Sequence, residues 1–422
     1  MPAKAVSPEK AVSLVRSGDV VVAPLFPGLG KSLLRALCAR IAELNDITLL
    51  CGDLRSAHDY LDVIPEGAAR GRLKLITLAG GFPRRTDMAT DWAAMPLWQL
   101  AQMLRTGVWR ADVCLLPLTP PGADGMHRIS PTLAWLADAA AGARTLLAEV
   151  SPNLPHMTGD NAIDPARVGA WIESTGPADA MDPGAVSEVQ KAIAQNVAGL
   201  IPDGACLQVG IGSVVEALLQ ELRGHKDLGF HSGSLPDGAA ALIKAGVITN
   251  RHNPLSRGES TTNSVRGSLS LYEFAHRNES LRLRAFSYVH DPKVIAAIPN
   301  FTAVNSALMA DINGQVSAEI SEGRMRSPGG GQLDFMRAAF GSEGGRRIIA
   351  LPSTDARTGK SKLVAAIPAG YLVTTHRMDV DFIVTEFGVA ALQGATMQER
   401  QRRIAAIAHP QYRDELLAGI AR

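Results

Sequence analysis

The sequence predicts an α/β protein of two domains, each built on a mostly parallel sheet. Three observations carry this expectation. Short runs that are apolar throughout recur along the 422 residues, as strands buried on both faces do. Helix-length amphipathic stretches separate them, which is the spacing of βαβ units. One stretch, Ser151–Gly184, breaks the pattern with five prolines and many Gly, Asp and Asn residues, and reads as a connector.

In the first half the apolar runs Val20–Ala23, Ile47–Cys51, Leu73–Leu78, Val113–Leu116 and Thr145–Val150 are the expected strands. Ser32–Leu44 and Pro131–Ala141 are expected helices between them. After the connector Ser187 is a plausible N-cap, and Val189, Ile193, Val197 and Leu200 fall on one face of the helix it would start. Strands are expected at Ala205–Val209, Leu228–His231, Ala303–Ala307, Arg347–Leu351, Tyr371–Thr374 and Phe382–Val384, with a helix-rich tail from Thr396 to Arg422. The expected domains are residues 1–184, connector included, and 185–422.

Apolar residues make up 46% and charged residues 20%, an ordinary globular balance. A formal net charge of +1 offers no global field for nucleic acid or a membrane surface. The four cysteines, Cys38, Cys51, Cys114 and Cys206, fit neither a zinc ribbon nor a disulfide framework, so no metal is expected. Buried thiols suit a reducing, cytoplasmic setting. The first 19 residues lack the apolar stretch of a signal peptide, and no run approaches the roughly 20 apolar residues of a membrane helix.

Two glycine turns mimic nucleotide sites without completing them. Pro27-Gly28-Leu29-Gly30-Lys31-Ser32 resembles the end of a phosphate-binding P-loop, but Leu25 stands where the first glycine is needed. Gly210-Ile211-Gly212-Ser213-Val214-Val215 resembles a dinucleotide fingerprint, but its third glycine is Val215 and no acidic residue follows at Gly229–Ser232. The loop keeps a generic meaning. Ser213 and Glu216 have capping-box spacing, so a helix should begin just after Gly212, with its first N–H groups directed at an anion or a polarised carbonyl. A second turn, Ser327-Pro328-Gly329-Gly330-Gly331-Gln332-Leu333-Asp334-Phe335, sets three glycines before a helix.

Taken together, these segments resemble the acetyl-CoA hydrolase/CoA-transferase family, which includes 4-hydroxybutyrate CoA-transferases. The resemblance is carried by Leu207–Ser213, Phe230–Gly238, Asn305-Ser306-Ala307, Gly314-Gln315-Val316, Gly330–Phe335, Ile349–Thr354, Val384–Gly388 and Ala408-His409-Pro410. In the first half Ala148–Pro155 and Gly159-Asp160 match more thinly. The resemblance implies two CoA-transferase-type α/β domains, coenzyme A or acyl-CoA bound as substrate in the cleft between them, and a homodimer. It maps CoA contacts to Gly210, Ile211, Gly212, Ser213 and Val214, to Leu308, and to Gly330, Gly331 and Gln332.

The resemblance also places the family's nucleophile, a glutamate that carries CoA as a thioester, at Gly233. No carboxylate stands at Ser232 or Ser234. A hydroxyl cannot form the acyl anhydride that CoA transfer requires. Ser232, Ser234, Glu259 and Glu319 are the remaining candidates nearby in sequence or motif. Glu319 matches a glutamate of the family pattern, Glu259 lies in a polar loop, and Asp237 suits turn capping. His231 and Ser232 would point to opposite faces of a strand. His127, His252, His276 and His290 are scattered. Three functions stay open: hydrolysis or acyl transfer to a small nucleophile without a glutamyl-CoA intermediate, CoA transfer by a displaced carboxylate, and CoA binding without turnover.

Overall fold

The structure, a computed structural model, describes residues 4–26, 31–53, 58–182 and 184–418. The Pro27–Gly30 turn lies outside the described residues. The chain forms two compact units. The first takes Met1–Met181 together with Thr262–Val289 and Arg326–Gly330; the second takes Asp182–Thr261, His290–Met325 and Gly331–Arg422.

The sheet of the first unit has seven strands: β1 (Val20–Phe26), β2 (Ile47–Asp53), β3 (Leu73–Gly80), β4 (Ala89–Trp92), β5 (Val113–Leu118), β6 (Thr145–Val150) and β7 (Val168–Glu173). Their order is β4-β3-β2-β1-β5-β6-β7, and every pair is parallel. The central strands are the apolar runs of the sequence; β5 is buried at every residue. The two edge strands were not expected. All four residues of β4 are exposed, and β7 alternates buried Val168, Ala170 and Ile172 with exposed Gly169 and Glu173 and half-buried Trp171. Neither has an unbroken apolar run, because an edge strand need not be covered on both faces. β7 lies inside the stretch that reads as a connector.

Two helices are shorter than expected. Ser32–Ala39 ends at Arg40 and passes into a 3-10 turn, Ile41–Glu43. Leu136–Gly142 starts late because the chain before it is committed elsewhere: Leu133 N–H donates to the Asn263 carbonyl and Ala134 N–H to Asn263 Oδ1, at 3.0 Å each. Trp135 is fully buried beside this point and donates its indole N–H to the Ala23 carbonyl at 2.9 Å.

The second unit carries β8 (Cys206–Val209), β9 (Gly229–Ser232), β10 (Phe301–Ser306), β11 (Arg346–Ala350), β12 (Phe382–Thr385) and β13 (Gly388–Ala391), in the order β9-β8-β10-β11-β12-β13. The pairs are parallel except the last, a hairpin. The expected strand Tyr371–Thr374 does not form. Leu372 and Val373 are 39% and 43% exposed, and an isolated bridge, Thr375 with Val316, follows the segment. The helix expected after Ser187 is Glu188–Ala198; Ser187 and Gln190 cap each other reciprocally, and Ile193 and Val197 are its buried face. The tail holds Met397–Ala406 and Pro410–Ala418. No helix among the described residues is long and apolar enough to cross a membrane.

Candidate functional site

The glycine loop after β8 is built for close approach. Gly212 has φ +110° and ψ 173°, a backbone that residues with a side chain rarely adopt, and it N-caps the helix Ser213–Glu221. A Cβ added at Gly210 or Gly212 would meet no atom within 4 Å. Ile211 between them is 40% exposed. Val215 and Glu216 N–H donate to the Gly212 carbonyl at 3.0 and 3.1 Å, which leaves the N–H groups of Ser213 and Val214 without an intrahelical acceptor at the open loop.

The helix starts where the sequence predicts, but the capping box is not formed. Ser213 Oγ accepts from Gln190 Nε2 at 2.6 Å. Glu216 accepts from Gly238 N–H at 2.9 Å, which fastens the start of a second helix, Asp237–Lys244. Burial holds the Glu216 carboxyl above its ordinary range. Asp237 is the first residue of that helix, with Pro236 at the cap.

Between these helix starts runs His231–Ser234. Ser232 is fully buried; its Oγ donates to the Val209 carbonyl at 2.8 Å and accepts from Val209 N–H at 3.3 Å, tying β9 to β8. The His231 ring lies edge-on to Phe301 with centroids 6.1 Å apart. Ser234 is buried, and its Oγ makes no hydrogen bond among the described residues. Ser232 is thus a structural clamp.

Gly233 and Gly331 converge on one side chain that sequence reasoning left unassigned. The atoms nearest to a Cβ at Gly233 would be His290 Nε2 at 3.3 Å, His290 Cε1 at 3.6 Å and Phe335 Cε2 at 3.7 Å. At Gly331 a Cβ would collide with His290 Cε1 and stand 2.8 Å from His290 Nδ1. His290 is 2% exposed, and its Nδ1 lies 3.2 Å from Asp334 Oδ2, also buried. The imidazole rests on Phe335 with centroids 4.5 Å apart, and Phe335 stacks on Phe301 at 6.3 Å and 16°. Asp334 stands in the first turn of the helix Gln332–Phe340, where a carboxylate is favoured by the helix dipole. His290 has no local motif. The only signal in the sequence is indirect: glycines at 233 and 331.

The other candidates have defined partners. Gly330 has φ +58°, and Gln332, 9% exposed, donates from Nε2 to Thr375 Oγ1 at 3.1 Å. The Leu308 N–H donates to the Ser317 carbonyl at 3.0 Å, so that backbone donor is already used. Glu319 Oε1 accepts from Thr374 Oγ1 at 2.8 Å. Glu259 is half-buried, and its N–H donates to the Ser256 carbonyl at 3.2 Å. Neither glutamate is among the three atoms nearest to the Gly233 Cβ position. Several motif residues hold the scaffold: Asn305 pairs with Gln208, and Glu386 accepts from the Ser353 N–H and hydroxyl at 2.9 and 2.6 Å. All four cysteines are buried free thiols. Among the described residues no group of three or more His, Cys, Asp or Glu could hold a metal ion. A groove of about 670 Å³ in the first unit is lined by Pro152, Leu154, Pro155, Leu269, Tyr272 and His276, none of them a candidate.

Comparison with known proteins places this chain in a family. The acetyl-CoA hydrolase/transferase C-terminal domain matches residues 267–420. The 4-hydroxybutyrate coenzyme A transferase of Clostridium kluyveri is 32% identical over 416 residues, which is 98% of this chain and 96% of that protein. The crystal structure of RipA from Yersinia pestis matches with a TM-score of 0.89 at 30% identity, covering 99% of this chain and 96% of RipA. A 4-hydroxybutyrate CoA-transferase from Porphyromonas gingivalis matches with a TM-score of 0.83 at 28% identity, covering 98% and 96%. With a relative of that identity aligned over nearly its full length, and the glycine loops in place on a mostly parallel α/β scaffold, the chain belongs to the acetyl-CoA hydrolase/transferase family, whose members act on CoA thioesters.

Proposed function

We propose that this chain is an enzyme that consumes an acyl-CoA by hydrolysis or by acyl transfer to a small nucleophile, without forming a glutamyl-CoA intermediate. One observation carries it. Where the resemblance places the nucleophilic glutamate stands Gly233, and the space on its Cβ side is bounded by the His290 imidazole and the Phe335 ring, not by a carboxylate. CoA transfer needs a group that holds an acyl unit as an anhydride and then CoA as a thioester, and neither imidazole nor phenyl does both. Glu319 hydrogen-bonds Thr374 and Glu216 caps a helix, so each has another use.

Backbone donors at the open Gly210–Val214 loop would polarise the thioester carbonyl, a contribution of several kcal/mol in comparable sites. The acceptor is a species that brings its own nucleophilic atom. A homodimer, as the resemblance implies, is part of the same proposal; sedimentation of the purified chain tests it.

The chemistry is tested by mass spectrometry of the intact protein after incubation with acetyl-CoA and longer acyl-CoAs, with thiol release followed by a chromogenic disulfide reagent. Free CoA should appear with no CoA-sized adduct on the protein, and borohydride should not inactivate it. A CoA adduct on any Glu or Asp would show transfer by a displaced carboxylate. Unchanged acyl-CoA under every acceptor would show a binding protein.

A further inference from the structure

We propose that His290 is the catalytic base of this chain and that Asp334 is its positioning residue. This rests on the acyl-CoA-consuming function above and supplies its missing chemistry.

The geometry is specific. An ionised carboxylate only accepts hydrogen bonds, so the Asp334 contact at 3.2 Å keeps the proton on Nδ1 and makes Nε2 the basic nitrogen. Nε2 is also the atom nearest to the Cβ position of Gly233, at 3.3 Å. The basic atom thus faces the point from which a side chain at 233 would grow. Gly331 meets the Cε1–Nδ1 edge so tightly that no other residue fits there while the ring stays where it is. Phe335, backed by Phe301, packs against the ring at a tilt of 45°. Two glycines on separate loops, a carboxylate and an aromatic stack therefore fix one imidazole.

Packing alone does not explain this arrangement. An apolar side chain would fill the volume without the cost of burying an imidazole and a carboxylate at 2% and 3% exposure. The neighbouring acid does not compete: Asp291 is the N-cap of Pro292–Ala296 and accepts from Lys293 N–H at 2.8 Å.

The step balances without a co-reactant beyond the acceptor. Nε2 takes a proton from water or from another acceptor H–X as X attacks the thioester carbonyl carbon. The carbonyl oxygen becomes an oxyanion opposite the N–H groups that open the helix Ser213–Glu221. The C–S bond then breaks, and the imidazolium returns its proton from Nε2 to the departing thiolate. Asp334 stays ionised and steadies the imidazolium. The products are acyl-X and CoA thiol.

The test uses the full chain with acetyl-CoA as probe, in water alone and with added amine or hydroxyl acceptors. H290Q should lower the rate of thiol release roughly 100-fold or more while CoA affinity by calorimetry stays within about 3-fold. The wild-type rate should fall at acid pH along a one-proton limb, and that limb should be missing from the residual rate of H290Q. D334N should lower the rate about 10-fold or more and move the limb to lower pH, because the imidazolium loses its carboxylate. A merely structural role for Asp334 would change the folded fraction and leave the limb where it was. Should H290Q not fold, the movement of the limb in D334N decides. Thiol release by H290Q within 3-fold of wild type overturns the assignment of His290 while leaving acyl-CoA consumption standing. A wild type that releases no thiol from any acyl-CoA overturns both.

Discussion

Two buried histidines, His58 in the first unit and His290 in the second, are wired differently. In the first unit His58 follows β2. Its Nδ1 lies 2.7 Å from Tyr60 Oη and its Nε2 2.9 Å from the Gly81 carbonyl, and Tyr60 Oη in turn lies 3.4 Å from Cys51 Sγ. The carbonyl accepts, so Nε2 carries the proton and Nδ1 receives the tyrosine hydroxyl. Burial pushes the imidazole down from its usual range, pushes the Tyr60 hydroxyl well up and pushes the Cys51 thiol up to about 12. Every member of that chain stays neutral, and every ring nitrogen is spent on holding a loop. In the second unit His290 leans on a carboxylate with one nitrogen and faces Gly233 with the other. Exposure is the same in both, 2%. What differs is the partner, a carbonyl in one case and a carboxylate in the other, and with it which nitrogen is basic and whether a charged ring could be stabilised.

Breaking the second arrangement should have the largest effect. Gly331→Ala puts a Cβ into the His290 ring and should destabilise the protein by about 1–3 kcal/mol, as overpacking does. Thiol release should fall at least 10-fold. His290→Ala in the same chain should restore most of the stability but none of the activity. Thermal melts of the two single variants and the double variant check this, and an additive outcome would separate Gly331 from His290.

Breaking the first arrangement should cost stability alone. Tyr60→Phe removes the hydroxyl that serves His58 Nδ1 and leaves a buried acceptor unsatisfied, a loss of about 1–3 kcal/mol. Urea unfolding measures it. Thiol release per folded molecule should not change, and a selective loss of rate would give His58 a part in the chemistry.

A carboxylate dominated by burial sharpens the contrast further. Asp138, in the helix Leu136–Gly142, hydrogen-bonds Ser287, and burial raises its pKa from 3.8 to about 6. The folded state therefore holds this proton more tightly than the unfolded state. Its contribution is most favourable below about pH 4, declines as pH rises through 6, and is a constant cost above that. Asp138→Asn, which does not titrate, should stabilise the protein at pH 8, by up to about 3 kcal/mol for a two-unit shift, and by much less at pH 4. Melts at the two pH values check it. Equal effects at both would mean that the Asp138 carboxyl is not the titrating group.

The smallest effect is expected at Gly233 itself. Its Cβ would stand 3.3 Å from His290 Nε2, so Gly233→Ala asks the imidazole to move by only a few tenths of an ångström. Stability should change by less than about 1 kcal/mol, while thiol release should fall several-fold because Nε2 is crowded. Gly233→Glu tests the same point chemically: a carboxylate at this position should yield a CoA adduct on incubation with acyl-CoA, detectable by intact mass.

The alternation of buried strands and covering helices was legible in the sequence of this protein. Runs such as Val113–Leu118 and Thr145–Val150 must be strands buried on both faces, since no amphipathic helix has that pattern, and a helix must start at Gly212, since the turn before it needs glycine. The family followed from the order of its motif segments. Edge strands β4 and β7 were not legible, because a strand covered on one face or neither shows no unbroken apolar run, nor was the return of Thr262–Val289 to the first unit. The pairing of Ser213 with Gln190 and of Glu216 with Gly238 overrode a local capping pattern, because helix packing offered both side chains other partners. His290 was legible only in retrospect. Its contacts with Gly233, Gly331 and Asp334 join segments far apart in the chain, 44 positions in the case of Asp334. A single histidine leaves no spacing for a sequence to display; only folding brings it against the two glycines that make room for it.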